Sequence, residues 1–281
     1  MSRAAALLTS LAACAADASA AERRIVEEHA PACLRIVRED IARITRGLRV
    51  AATRFAPGFA IEDADDRERQ IRAGLRRIQD PTARGIAISE LVATPASFLA
   101  AVGADGRVIA RDVPQNEDRM RGEPFAERYE VVARALREGR AGRQLVEFPA
   151  AEGPPSVSLL LVEPVRRDER IVGAMLAGIP LWKMARRLSR QLVVDHAAER
   201  QRGAILWVWL YRGERLFAPE VGLDLEKLVP DAAARARGLA ASPGGYTGQV
   251  QQFGRAYAFG VVPLPIFGDD VGMVIFRSDP P

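Results

Sequence analysis

Few residues in this 281-residue chain could carry acid–base, nucleophilic or metal chemistry, and they are widely spaced: two histidines, His29 and His196, and two cysteines, Cys14 and Cys33. A serine or cysteine nucleophile needs a base within hydrogen-bond reach, most often histidine. His29 precedes the first long helical pattern and His196 falls in a connector. Neither flanks a nucleophile elbow, so both read as surface or helix-end residues. Two cysteines cannot complete a zinc site and the histidines are remote in sequence, so no structural metal is expected. A disulfide framework is excluded as the main source of stability, while a single Cys14–Cys33 bridge stays open. The carboxylate pairs Asp65–Asp66 and Asp269–Asp270 fall in charged turns, where solvation accounts for them better than proton transfer does. There is no phosphate loop and no dinucleotide fingerprint, and Gly244, Gly245 and Gly248 open a strand rather than a helix. The expectation is a non-enzymatic protein without cofactors.

Hydrophobic residues make up 48% and charged residues 27% of the chain, enough apolar material to bury a core. The length suits one large domain or two ordinary ones. The 40 Lys and Arg against 36 Asp and Glu are interspersed, as in Asp65, Asp66, Arg67, Glu68 and Arg69. No basic stripe with interleaved aromatics accompanies them, so nucleic acid is not an expected partner.

At the amino terminus Arg3 is followed by an uncharged run from Ala4 to Ala16, too short and alanine-rich to span a bilayer. Leu11-Ala12-Ala13-Cys14 has the form of a lipoprotein signal, with residues 1–20 as the leader segment and Cys14 as the lipidated residue. That reading places the protein in the periplasm or on the outer surface, with a lipid anchor as its only membrane attachment. The other reading is an alanine-rich helix on a cytoplasmic protein.

The elements follow from periodicity. Residues 21–92 read as helical. Val37, Ile41, Ile44, Leu48, Ala51 and Phe55 form one stripe of a long helix, with Pro31 in its first turn and Pro57 stopping it. The seam can pair with a second copy, giving a homodimer, or pack within its own domain. Ile71, Leu75 and Ile78 mark a second helix and Thr82–Leu91 a third. At Ser97 the character changes to Phe98–Val102, a two-residue Asp105-Gly106 hairpin turn, and Val108–Arg111. A helix over Pro124–Glu138, a strand over Gln144–Phe148 and a hairpin of Val157–Val165 with Ile171–Ile179 complete a module spanning 93–182. A connecting helix is expected over 183–202.

From residue 203 to 281 the same order repeats. Ala204–Leu210 and Arg215–Phe217 form a hairpin, Asp224–Leu239 a helix, Tyr246–Phe253 a strand, and Ala256–Leu264 with Val271–Arg277 a final hairpin. Trp207, Trp209 and Tyr211 alternate, so they share one sheet face and serve to cover it. The fold class is therefore α+β: a long helix, then two tandem units, each an antiparallel sheet with helices on one face.

Two strands, a helix and three strands is the layout of PAS-like domains, and nearly the whole chain, including the hairpin FLAAVGADGRVIARD, resembles the double Cache family of extracellular sensor domains. That resemblance implies a small ligand, often an amino acid or other carboxylate, held between the sheet of the first module and the segments that cap it. Carried over by position, the pocket would be lined by Arg111 and Asp112, by Arg121, Arg128 and Tyr129, and by Arg143 and Glu163. An arginine fork with a tyrosine hydroxyl suits a carboxylate. The tyrosine, arginine, tryptophan and aspartate pattern of the amino-acid-binding members is not recognisable here. With no kinase or methyl-accepting segment before Pro281, the signal is expected to leave through a partner protein. The competing expectation is an interaction scaffold that binds no ligand.

Overall fold

The computed structural model describes residues 20–92, 96–148, 155–217, 226–252 and 254–279, so Cys14 and the signal segment expected around it lie outside the described residues. The chain divides into two compact units. Residues up to Val37 join those from Leu181 onward, and Arg38–Pro180 form the other.

The helical run begins by Ala20. It passes through a π-helical turn, Ile25–His29, and continues as α1, Ala30–Phe59. Pro31 thus lies in the first turn of α1 but well inside the continuous helical run. Proline lacks the N–H its helix needs and crowds the carbonyl four residues back. The wide turn just before it, where the Ala30 N–H reaches five residues back to Ile25 O, takes up an extra residue at that place. Pro57 does not stop the helix either: α1 runs two residues past it, so the ring disturbs only the last turn. The stripe Val37, Ile41, Ile44, Leu48, Ala51 and Phe55 is buried, as its spacing predicts.

Helix α2 spans Ala64–Ile78. The Asp63 carboxylate accepts the Asp66 N–H at 2.8 Å, and Asp65 and Asp66 occupy the first turn, where the helix dipole favours negative charge. The expected solvated turn is therefore a helix start. No helix forms over Thr82–Leu91, which is a run of turns. The Asp80 carboxylate accepts both the N–H and the hydroxyl of Thr82, a local closure that competes with a helical start.

The unit Arg38–Pro180 holds a five-stranded antiparallel sheet of β1 (Phe98–Gly103), β2 (Val108–Arg111), β3 (Gly142–Phe148), β4 (Ser156–Arg167) and β5 (Arg170–Pro180), in the order β2-β1-β5-β4-β3. The β1–β2 turn is longer than two residues: the Gly106 N–H closes on Gly103 O, and Gly106 alone has positive φ (80°). A turn followed by one left-handed glycine is the three-residue alternative. The helix expected over Pro124–Glu138 is split into α3 (Phe125–Arg128) and α4 (Glu130–Glu138), because Tyr129 is extended (φ −128°, ψ 108°). That break turns Tyr129 inward beside Phe125, and both are buried. Phe125, Tyr129, Val132 and Ala135 cover the face of Phe98, Ala100, Val102, Leu160 and Leu176. Each fully buried large side chain there stabilises the unit by about 1.5–3 kcal/mol. On the opposite face Phe59 of α1 lies against Gly173, where a Cβ would meet both its ring and the Val102 carbonyl oxygen.

The other unit repeats the design with β6 (Ile205–Arg212), β7 (Arg215–Phe217), β8 (Tyr246–Gln252), β9 (Arg255–Pro263) and β10 (Val271–Ser278), in the order β7-β6-β10-β9-β8. Preceding it, the expected connecting helix is broken at His196 into α5 (Leu181–Asp195) and α6 (Ala197–Gln201). Ser189 of α5 accepts the Val208 N–H at 2.9 Å and donates to Val208 O, supplying the partners that the short strand β7 does not reach. The described helix following β7 is α7, Ala232–Ala241, shorter than the expected Asp224–Leu239 and capped by Asp231. The expected alternation holds: Trp209 and Tyr211 pack with Tyr257, Val261, Val274 and Phe276, and Trp207 lies partly buried against them.

Cys33 is fully buried with a free thiol. Burial, with the Asp195 carboxylate adding to it, pushes that thiol up to about 12. Peptide mapping after alkylation of the native protein should find Cys33 unlabelled, and labelled once denaturant is added; labelling of the native state would show that the helix opens there.

Candidate functional site

In the unit Arg38–Pro180 the capped face of the sheet is built on four rings. Phe98 and Phe148 meet edge to face at 5.4 Å, Tyr129 and Phe148 at 5.5 Å, and Phe125 and Tyr129 at 5.0 Å. Arg111, opposite Ala100 in the β1–β2 register, lays its guanidinium over Phe98 at 5.4 Å. Its Nε is buried without a hydrogen-bond partner; the Asp112 Oδ1, likewise without a hydrogen bond, forms a long ion pair with it at 3.9 Å. The Tyr129 hydroxyl donates to Glu147 O at 3.4 Å, and burial raises its pKa.

A buried ionic network ties the loop after β2 to α2. The Arg72 guanidinium donates to Glu68 Oε1 at 2.7 Å, to Asp118 Oδ2 at 2.8 Å and to Val113 O at 3.0 Å. Asp118, its side chain wholly inaccessible, also accepts the N–H groups of Arg111 and Met120. Gln79 donates to Asp112 Oδ2 at 2.8 Å. Glu68 and Arg72 fall on the same stripe of α2 as Ile71, Leu75 and Ile78, a placement the helical spacing implies, but only the structure shows that their charges are paired there and position Arg111.

The seven residues that the sequence pointed to are spread over several places. Arg111, Asp112 and Tyr129 sit at or beside the capped face. Arg121 pairs with Glu68 at 2.6 Å on the wall of an open cleft of about 830 Å³, shared with Arg67, Arg107 and Arg170. Arg128 pairs with Glu123 at the surface. Arg143 and Glu163 line a smaller pocket of about 370 Å³ with Thr45 and Leu48, on the α1 side of the sheet. Burial raises the Glu163 carboxyl against the opposing pull of Arg49, 3.6 Å away.

In the other unit the two histidines meet. His29, fully buried, and His196 contact edge to face at 4.6 Å. His29 is not the surface or helix-end residue that the sequence suggested, since it is buried inside the helical run, whereas His196 does stand at a helix end, as the N-cap of α6; the π-helical turn and the break before α6 bring the two together from far apart in sequence. Arg277 donates to His29 Nε2 at 3.0 Å and pairs with Glu199 and Asp279, and Arg24 reaches Glu199 at 2.6 Å. Burial first, then His196 and Arg277, lower the His29 pKa to about 3. Burial opposes ionisation of Glu199, but the Arg277 hydrogen bond and charge outweigh it and hold the carboxyl at about 2.

No protein-family model and no curated protein sequence matches the chain. Among the solved structures similar to the chain are two of one receptor domain. The ligand-binding domain of the Campylobacter jejuni chemoreceptor Tlp3 in complex with L-valine aligns at 9% identity and a TM-score of 0.55, covering 93% of this chain and 96% of that one. The same receptor's domain in complex with 4-methylisoleucine aligns at 10% identity and a TM-score of 0.54, covering 88% and 87%. Helix order and the repeated β2-β1-β5-β4-β3 arrangement agree with that likeness: the protein has the double Cache, PAS-like α+β fold, with a long amino-terminal helix and two antiparallel five-stranded sheets.

Proposed function

We propose that this protein is a non-enzymatic sensor module that takes a small carboxylate on the capped face of its first sheet and passes occupancy to a partner protein. The observation that carries the reading is Arg111, stacked on Phe98 with a buried Nε–H that has no acceptor. An unpaired buried donor is costly, and a ligand oxygen would remove that cost. Tyr129 on the same face adds a hydroxyl. The fold supports the reading: the two Tlp3 structures hold L-valine and 4-methylisoleucine, both carboxylates, in a domain of this architecture. Arg121, Arg128, Arg143 and Glu163 then serve the rim or other surfaces. Placement outside the cytoplasm, with Cys14 as a lipid anchor, fits a sensor. Among the described residues no helix is long and apolar enough to cross a membrane.

A thermal-shift screen with small carboxylates tests this. A ligand at a hundred times its Kd adds about 2.7 kcal/mol by mass action, a rise of roughly 5–10 °C for a protein of this size. Arg111→Ala and Arg111→Lys should lose the response, and Arg143→Ala should keep it. A second reading, a ligand-free scaffold, is favoured by the four rings that already fill the capped face. A flat screen would favour that scaffold over the sensor.

A further inference from the structure

We infer that Glu28, His29 and His196 form a binding site for a divalent transition ion of the zinc class. One ligand atom from each lies within 4.8 Å of the other two, a separation that one ion can bridge. The second, independent observation is His29 itself. Its side chain is wholly buried, Arg277 occupies Nε2, and Nδ1 has no partner. A buried imidazole nitrogen left unpaired is costly, and proteins seldom leave one so.

The surroundings suit a metal. The Nδ1 of His196 faces the Glu199 carboxylate at 3.3 Å, which leaves its Nε2 as the donor and supplies the carboxylate–histidine pairing common behind metal ligands. Glu199 and Asp279 balance Arg24 and Arg277, so the Glu28 charge is left for the cation. A guanidinium can only donate, so His29 Nε2 accepts from Arg277 and the ring proton sits on Nδ1. On loading, the metal takes the Nδ1 lone pair and the ring proton moves to Nε2. Arg277 then gives up His29 and keeps Glu199 and Asp279 through its other nitrogen. Two imidazoles and a carboxylate, with water completing four ligands, is a familiar zinc set. The π-helical turn at Ile25–His29 is what turns His29 inward, and such turns recur at functional sites. A bound ion would clip the amino-terminal helix to the α5–α6 junction.

The test uses the untagged full chain, since an affinity tag would add histidines. After stripping with EDTA, the protein is dialysed against Zn²⁺, and retained metal is measured by inductively coupled plasma mass spectrometry, with Co²⁺ absorption reporting nitrogen and oxygen ligands. The expected result is about one equivalent bound, weakened on the order of tenfold or more in Glu28→Gln and in His196→Gln. Glu28 is exposed, so its replacement leaves the fold intact. No retention by the wild-type chain, or equal retention by both variants, overturns the site.

Discussion

Replacing Arg72 by alanine should destabilise the Arg38–Pro180 unit by about 3–5 kcal/mol, the loss that follows when one member of a buried ionic network is removed. The size comes from what is left behind. Asp118 is wholly inaccessible and would lose the guanidinium it faces, and the almost inaccessible Glu68 would keep only Arg121. Arg72→Met, which strands Asp118 and leaves Glu68 with Arg121 alone but keeps the packing volume, should cost nearly as much. The double variant Arg72→Met with Asp118→Asn should recover part of the loss, because one buried charge is gone. Chemical denaturation gives the energies. Hydrogen exchange should rise first at Asp112–Met120, since Asp118 alone holds the N–H groups of Arg111 and Met120. A loss below about 1 kcal/mol, the range of surface pairs, would mean that the network is hydrated and does not fix the loop. The same variant bears on sensing: once the loop is loose, Arg111 loses its backbone anchor, and any carboxylate response should weaken with it.

Trp209→Ala should cost about 3–5 kcal/mol in the other unit. Trp209 is fully buried between Trp207 at 6.0 Å and Phe276 at 5.2 Å, in the middle of the aromatic face of the second sheet. Its indole N–H is buried without a partner. Trp209→Phe therefore removes apolar volume and an unsatisfied donor together, and the two effects oppose each other. The phenylalanine variant should cost no more than about 1–2 kcal/mol. Equal losses for Ala and Phe would show that the indole N–H is satisfied in solution, by water or a ligand that the aromatic face admits. Intrinsic fluorescence and denaturation curves read both variants.

The sequence by itself determined the repeated unit. Strand positions depend on alternation over five to ten residues and hairpins on local turn chemistry, so Phe98–Val102, Val157–Val165 and Val271–Arg277 were readable without a partner in view. The stripe of α1 was readable for the same reason. Helix ends were less so: Pro31 and Pro57 look like boundaries until a π-helical turn absorbs one and the last turn tolerates the other. The residues that carry chemistry were the least readable, because their properties arise from neighbours distant in sequence. Arg111 and Tyr129 came from the order of elements. That Arg111 lacks an acceptor, that Arg72 is buried between two acids, and that His29 meets His196 across 167 positions of chain were decided only when the sheets closed and took the water away. Periodicity records which side of an element is apolar. It does not record which charged groups are stranded on that side, and desolvation of those groups is what makes a site.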